Sequence, residues 1–307
     1  MIVTLRNTNS AEVGSRLVSL RDEGGAVALG RVLTLVVLSE DEDSTERAIR
    51  TANGASHEHP MRVLVVMPDR PDEAAGLDAE IRVGGHAGAS EVVVLRPRGG
   101  AGRSPGTLVM ALLLPDAPIV AWWPSVPPPR PSTDPIGAMA QRRITESVRT
   151  RDPIATLQAL RAAYAPGDTD LAWGALTLWR ALLAAALDES PGDEVTSVTV
   201  IGAEGNPSVE LLAAWLRVSL GCIVSVEYSG NGGMRGVVLE QPSGPIRVDR
   251  PAGSTVATLS RPGRPDQVIN LPRRNTENTL IEELRRLDPD LTYGKVLTQG
   301  LGELEPA

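Results

Sequence analysis

The chain has no phenylalanine, a single cysteine and a single lysine in 307 residues. One cysteine, Cys222, excludes an internal disulfide framework and any multi-cysteine zinc or iron–sulfur site, and fits a reducing compartment. With Lys295 as the only lysine, Schiff-base or phosphate-binding lysine chemistry has one seat, in an amphipathic stretch near the C-terminal end. Long apolar runs are also missing. The longest block, Leu108 to Leu114, stops at Pro115 and Asp116, far short of the roughly 20 residues that cross a bilayer. The opening MIVTLRNTNSAEV lacks the basic, apolar and small-residue pattern of a secretory signal. These features predict a soluble, cytoplasmic protein. Positive charge is in the minority, and a formal net charge of −8 disfavours nucleic acid and anionic membrane surfaces as partners.

What is present reads as an ordinary globular chain of two domains, 1–165 and 166–307, with 42% hydrophobic and 22% charged residues. Val32 to Leu38, Arg62 to Met67 and Glu91 to Leu95 are β-branched-rich, nearly continuous apolar runs, as expected for strands buried on both faces. Ser44 to Ala55 and Pro71 to Ala87 read as crossover helices, Thr107 to Leu114 as a fourth strand and Pro118 to Trp123 as a fifth. The segment WWPSVPPPRPSTDP then predicts a stiff, extended strap.

Helices are expected over Ile136 to Val148, Pro153 to Ala163 and, capped by Asp168, from Asp168 to Leu187. The second half restarts with a strand at Val195 to Ile201 and a helix over Ser208 to Leu220. Strands follow near Ile223 to Tyr228, Met234 to Gln241, Ile246 to Asp249 and Thr255 to Ser260. The turns Asn231-Gly232-Gly233 and Pro242-Ser243-Gly244 predict antiparallel hairpins between them. A terminal helix, Thr276 to Leu287, points Arg285 and Arg286 to solvent. The fold class is therefore α/β passing to α+β. A mostly parallel N-terminal sheet covered by helices leads through a long connecting helix to a mixed or antiparallel C-terminal sheet with helices.

Catalytic motifs fail on spacing. After the strand ending at Ile201, a dinucleotide fingerprint starting at Gly202 needs glycine at 204 and 207, where Glu204 and Pro207 stand. Glu227 matches a ribose-binding acid by position alone. His57-Glu58-His59 puts its histidines at i and i+2, not the i and i+4 of a helical metal site, with no third ligand near in sequence. There is no Walker loop. Carboxylate pairs brought together only in space stay open as acid–base candidates. Trp122 and Trp123 are neighbours, so on a strand they face opposite ways and one of them is expected to leave the core.

Five stretches, taken together, resemble the OpcA family of glucose-6-phosphate dehydrogenase assembly proteins. They are Gly30 to Leu38 (GRVLTLVVL), Ala52 to Arg62 (ANGASHEHPMR), Leu113 to Pro124 (LLPDAPIVAWWP), Asp134 to Glu146 (DPIGAMAQRRITE) and Gly167 to Arg180 (GDTDLAWGALTLWR). The resemblance implies a non-catalytic subunit that docks on glucose-6-phosphate dehydrogenase and acts as its allosteric activator. It thereby supports NADPH production in the oxidative pentose phosphate pathway, with no cofactor or metal of its own. It supplies no catalytic residues. Thiol redox control, found in some relatives, has no disulfide to act through here, since Cys222 stands alone.

Aromatic and arginine residues at loops and element ends are natural interface anchors, so Trp122, Trp123, Arg142, Arg143, Asp168, Asp170, Trp173 and Arg180 are the candidate partner contacts. Against that stand core tryptophans, capping aspartates and solvent-facing arginines. The alternative function is a sugar-phosphate or nucleotide-binding enzyme or sensor using a cleft between the halves.

Overall fold

The computed structural model describes residues 1–23, 31–84, 91–189, 193–230 and 232–303. The chain forms two compact units. Unit 1 is Met1–Arg149 with Gly167–Thr169 and Thr276–Pro289, and unit 2 is Thr150–Pro166, Asp170–Asn275 and Asp290–Ala307.

Unit 1 is built on an eight-stranded sheet. Its strands are β1 (Ile2–Thr8), β2 (Leu33–Leu38), β3 (Met61–Val66), β4 (Gly76–Arg82), β5 (Glu91–Arg98), β6 (Ile119–Trp123), β7 (Arg142–Thr145) and β8 (Asp168–Asp170). The order is β1-β4-β5-β3-β2-β6-β7-β8, with β5, β3, β2, β6 and β7 mutually parallel and β4 antiparallel to both β5 and β1. From β5 to β8 this is the 3-2-1-4-5-6 order of doubly wound sheets, with β2 and β6 as the central pair where the direction of winding reverses. One face packs on α1 (Ser10–Glu23) and α3 (Pro105–Met110) through Val13, Leu17 and Val109, against Val36, Leu64, Val93 and Trp123. By strand alternation Leu35 and Val37 occupy the other face. The helices α2 (Glu42–Ala55) and α8 (Thr276–Arg285) also belong to unit 1 and pack on each other.

Unit 2 is a six-stranded sheet, β10 (Ile223–Tyr228), β9 (Ser197–Gly202), β11 (Met234–Glu240), β12 (Ile246–Asp249), β13 (Val256–Arg261) and β14 (Arg264–Asn270), in that spatial order. β9 and β10 are parallel across the helix α7 (Pro207–Leu220), and the other pairs are antiparallel. One face buries Val198, Val200, Val237 and Leu239 with Leu211, Leu212, Trp179 and Leu183. The last two lie on α6 (Thr177–Asp188), which follows the short α5 (Leu171–Gly174). α4 (Pro153–Ala162), α9 (Leu291–Lys295) and a π-turn at Val296–Gly300 complete the unit. The π-turn approaches α7 so closely that a Cβ on Gly300 would lie 2.6 Å from the Ala214 carbonyl oxygen.

Several expectations change. Thr107 to Leu114 is not a strand: Pro105, fixed in φ and lacking a donor, stands in the first turn of helix α3. Pro71 to Ala87 holds β4, whose alternating burial fits Leu77, Ala79 and Ile81 at period two between β1 and β5, while 85–90 lie outside the described residues. Ile136 to Val148 is a 3-10 turn at Gly137–Met139 followed by β7, because pairing with β6 overrides local helix propensity. The long helix from Asp168 divides into β8, α5 and α6, and Asp170, not Asp168, caps α5 by accepting from the Ala172 amide at 2.9 Å. β10 and β11 form no hairpin, since they flank β9 on opposite sides. Asn231 lies outside the described residues.

Candidate functional site

Of the eight residues singled out as contacts, seven are interior. Trp122 and Trp123 are 1% and 3% exposed; both faces of the sheet are covered there, so neither leaves the core. Trp123 joins the α1/α3 face, and Trp122 is in register with Val37 on the other. Arg142, Arg143, Asp168, Asp170 and Trp173 are also buried, and Arg180 is half-buried.

The adjacent arginines of β7 hold two sequence-distant segments in unit 1. The Arg142 guanidinium pairs with Glu283 of α8 and donates to the Asp288 carbonyl at 2.9 Å, while Arg143 pairs with Asp168 and donates to the Ala140 carbonyl at 3.1 Å. Buried ion pairs of this kind are costly to break from one side. In unit 2, Trp173 donates its indole N–H to Asp290 at 2.8 Å, and the other carboxylate oxygen of Asp290 caps α9 at the Tyr293 amide, 2.9 Å. Tyr293 packs on Trp173 and Tyr164, and the Arg180 guanidinium stacks 3.7 Å above the Trp173 ring. The GDTDLAW motif thus builds interior scaffold.

The functionally telling residues are others. In doubly wound sheets, ligands bind at the carboxyl ends of the two strands where winding reverses, here just past Leu38 and Trp123. A dinucleotide fold places a glycine-rich turn there, whose free amides receive the pyrophosphate. This chain has Ser39-Glu40-Asp41-Glu42-Asp43-Ser44. Asp41 accepts from the Ser44 amide at 2.6 Å, and the Ser44 hydroxyl accepts from the Asp41 amide at 3.1 Å, a closed capping box on α2. The hydrogen bond from the Ser44 amide holds the Asp41 carboxyl below its usual range, and Arg96 does the same for Glu42. Asp69, just past β3 where a ribose-binding acid would stand, accepts from the Gly100 amide at 2.8 Å and the Gly102 amide at 3.4 Å. At the start of α2 the Asp41 carboxylate takes an amide that a bound phosphate would need. Sequence reading missed this because the acidic run gains its meaning only once β2 is known to be the central strand.

The turn after β9 is ordinary too. Asn206 caps α7 at the Ser208 amide, 2.9 Å, and Glu210, pushed up by burial, accepts from the Tyr228 hydroxyl at 2.9 Å. His59 bonds the Ile281 carbonyl oxygen at 3.2 Å, and Glu58 pairs with Arg285. No cluster of three potential metal ligands occurs among the described residues. Burial pushes the Cys222 thiol up, away from an activated thiolate. No described helix is long and apolar enough to cross a membrane.

An open groove of about 510 Å³ in unit 2 is lined by Trp215 and Val218 of α7 and by Leu291, Thr292, Lys295 and Val296. Leu291 is 79% exposed, a large apolar side chain standing at the rim.

Comparison with known proteins adds two kinds of likeness. KijD10, a 3-ketoreductase from Actinomadura kijaniata with NADP and TDP-benzene bound, superposes over 87% of this chain and 94% of its own at 11% identity, TM-score 0.50. An NAD binding oxidoreductase from Klebsiella pneumoniae covers 90% of this chain and 96% of its own at 10% identity, TM-score 0.47. At such identities the likeness concerns the fold alone. No curated protein matches in sequence. Family comparison is specific: residues 52–162 match the glucose-6-phosphate dehydrogenase subunit N-terminal domain and residues 166–297 the C-terminal domain of the same subunit. With both of its domains present and in order, the chain belongs to the OpcA family of glucose-6-phosphate dehydrogenase assembly subunits.

Proposed function

We propose that this chain is a non-catalytic subunit that docks on glucose-6-phosphate dehydrogenase in the cytoplasm and favours its active arrangement. The observation that carries the non-catalytic part is the turn from β2 into α2. A sheet wound like a dinucleotide-binding domain has Asp41 and Glu42, both stabilised as anions, where phosphate would need free amides. Activation then needs no chemistry. It requires only tighter binding to the active form of the dehydrogenase, and a coupling of about 1–3 kcal/mol shifts apparent affinity roughly 5- to 150-fold.

We assign the docking contact to the groove of α7 and α9, where Trp215 and the exposed Leu291 offer aromatic and aliphatic anchors beside Lys295. The buried set, Trp122, Trp123, Arg142, Arg143, Asp168, Asp170 and Trp173, acts in this reading as the scaffold that keeps such surfaces in shape, and Arg180 as a half-buried support for Trp173. Leu291→Asp, at an exposed position, is expected to abolish co-elution with the dehydrogenase while leaving the circular dichroism spectrum unchanged. Wild-type co-elution by this variant and by Trp215→Ala would move the contact elsewhere.

A further inference from the structure

Unit 2 contains a cluster of like charge that the docking reading does not use. Arg235 stands second in β11, Arg250 follows β12, and Arg273 comes shortly after β14. The pairing of Gly236 with Asp249 brings the first two together: the Arg250 amide donates to the Arg235 carbonyl at 2.7 Å, and Arg235 Nε donates to the Arg250 carbonyl at 3.1 Å. Arg250 is 4% exposed. Its Nη1 donates to the Leu271 carbonyl and its Nη2 to the Met234 carbonyl, each at 2.9 Å, and its guanidinium lies 5.0 Å from the Trp179 ring centre. Among the described residues Nε of Arg250 has no acceptor.

Arg273 is exposed and lies over the turn into β11. A Cβ on Gly232 would stand 3.3 Å from Arg273 Nη2, and one on Gly233 3.4 Å from Asn206 Nδ2. Both glycines have positive φ, 130° and 77°, so the turn accepts no ordinary side chain and its backbone stays open to close approach. The exposed Arg273 thus lies over the glycine turn, and Arg235 and the buried Arg250, which holds the Met234 carbonyl, stand where that turn enters β11.

Among the described residues no carboxylate lies within ion-pair distance of Arg235, Arg250 or Arg273, in a chain whose acids outnumber its bases, 38 to 30. A buried cation with no counter-ion and two like neighbours is costly, and a bound anion removes that cost. Burial first, and then Arg273 and Arg235, pull Arg250 down to about 10.

We propose that Arg235, Arg250 and Arg273, around the Gly232-Gly233 turn, form a binding site for the phosphate group of a small phosphorylated metabolite. The exposed Arg273 fork can match two phosphate oxygens at once, and Arg235 and Arg250, which already donate to backbone carbonyls, add the positive charge that favours a dianion over a single carboxylate. The site concerns the free chain and does not depend on docking.

The test is calorimetric titration of the isolated full-length chain with inorganic phosphate, glycerol 3-phosphate and acetate at matched ionic strength. Saturable binding of both phosphate probes is expected in the millimolar range or tighter, weakened at least about tenfold by Arg273→Glu, a change of about 1.4 kcal/mol. Arg286→Glu, an exposed arginine of unit 1, should bind as wild type does. Absence of saturable phosphate binding overturns the proposal, as does wild-type affinity in both Arg273→Glu and Arg235→Gln. An equal loss in Arg286→Glu would mark non-specific attraction and also overturn it. Acetate binding as tightly as phosphate would assign the cluster to a carboxylate, such as an acidic side chain of a partner, and overturn the phosphate assignment.

Discussion

In unit 1 the buried guanidiniums of Arg142 and Arg143 face Glu283 and Asp168, while in unit 2 the equally buried Arg250 faces backbone carbonyls and two more arginines. Both arrangements take a cation out of water, but among the described residues only the first sets a carboxylate beside it. The paired arginines fasten segments 141 and 25 residues away to β7, so their work is complete in the folded chain. The unpaired cluster keeps uncompensated charge beside an open turn. Burial alone therefore does not separate structural from ligand-seeking charge; the presence of an internal counter-ion does.

The largest expected effect comes from breaking a pair. Arg142→Ala leaves Glu283 buried without its cation and should lower the stability of unit 1 by about 3–5 kcal/mol in urea unfolding at neutral pH. Arg250→Met keeps the stem and loses two bonds to carbonyls, but it also relieves an unneutralised charge. The expected loss is smaller, about 1–2 kcal/mol, and a loss equal to that of Arg142→Ala would break the contrast.

The same pair of chains has a pH signature. Burial and the neighbouring Arg273 and Arg235 pull Arg250 down to about 10, below an ordinary guanidinium, so above that pH the unfolded chain binds the extra proton. Wild-type stability should therefore gain on Arg250→Met as pH rises through about 10, and denaturation at matched alkaline pH checks the sign.

The smallest effect belongs to the capped start of α2. Asp41→Ala removes the cap on α2 and should cost about 1 kcal/mol, seen as faster amide exchange in its first turn. Because the Asp41 carboxyl is held below its ordinary 3.8, this contribution is fully present above that value and disappears as pH falls through the lowered one.

The parallel core was legible because β2, β3 and the start of β5 are nearly continuous apolar runs, which only strands covered on both faces tolerate. β4 was not. Its alternating GLDAEIR is half-polar and rich in helix formers, and only its neighbours β1 and β5 make it a strand. β7 was hidden for the same reason, its two arginines being neutralised by residues 141 and 25 positions away. The acidic turn after β2 was plain as letters but gained meaning from strand order, which no local pattern encodes. Arg235, Arg250 and Arg273 are separated by 15 and 23 residues and meet only through sheet register, so composition could not announce them. The expectation that one of Trp122 and Trp123 would be exposed failed because it assumed one open sheet face where both are covered.

The most direct test of the central claim is a titration of the purified chain into purified glucose-6-phosphate dehydrogenase, following mass and initial rate in the same samples. The account predicts a larger assembly whose formation saturates together with a higher rate or a lower half-saturating glucose 6-phosphate concentration. A dehydrogenase unchanged in both mass and kinetics, or oxidation of glucose 6-phosphate by this chain alone, would contradict it.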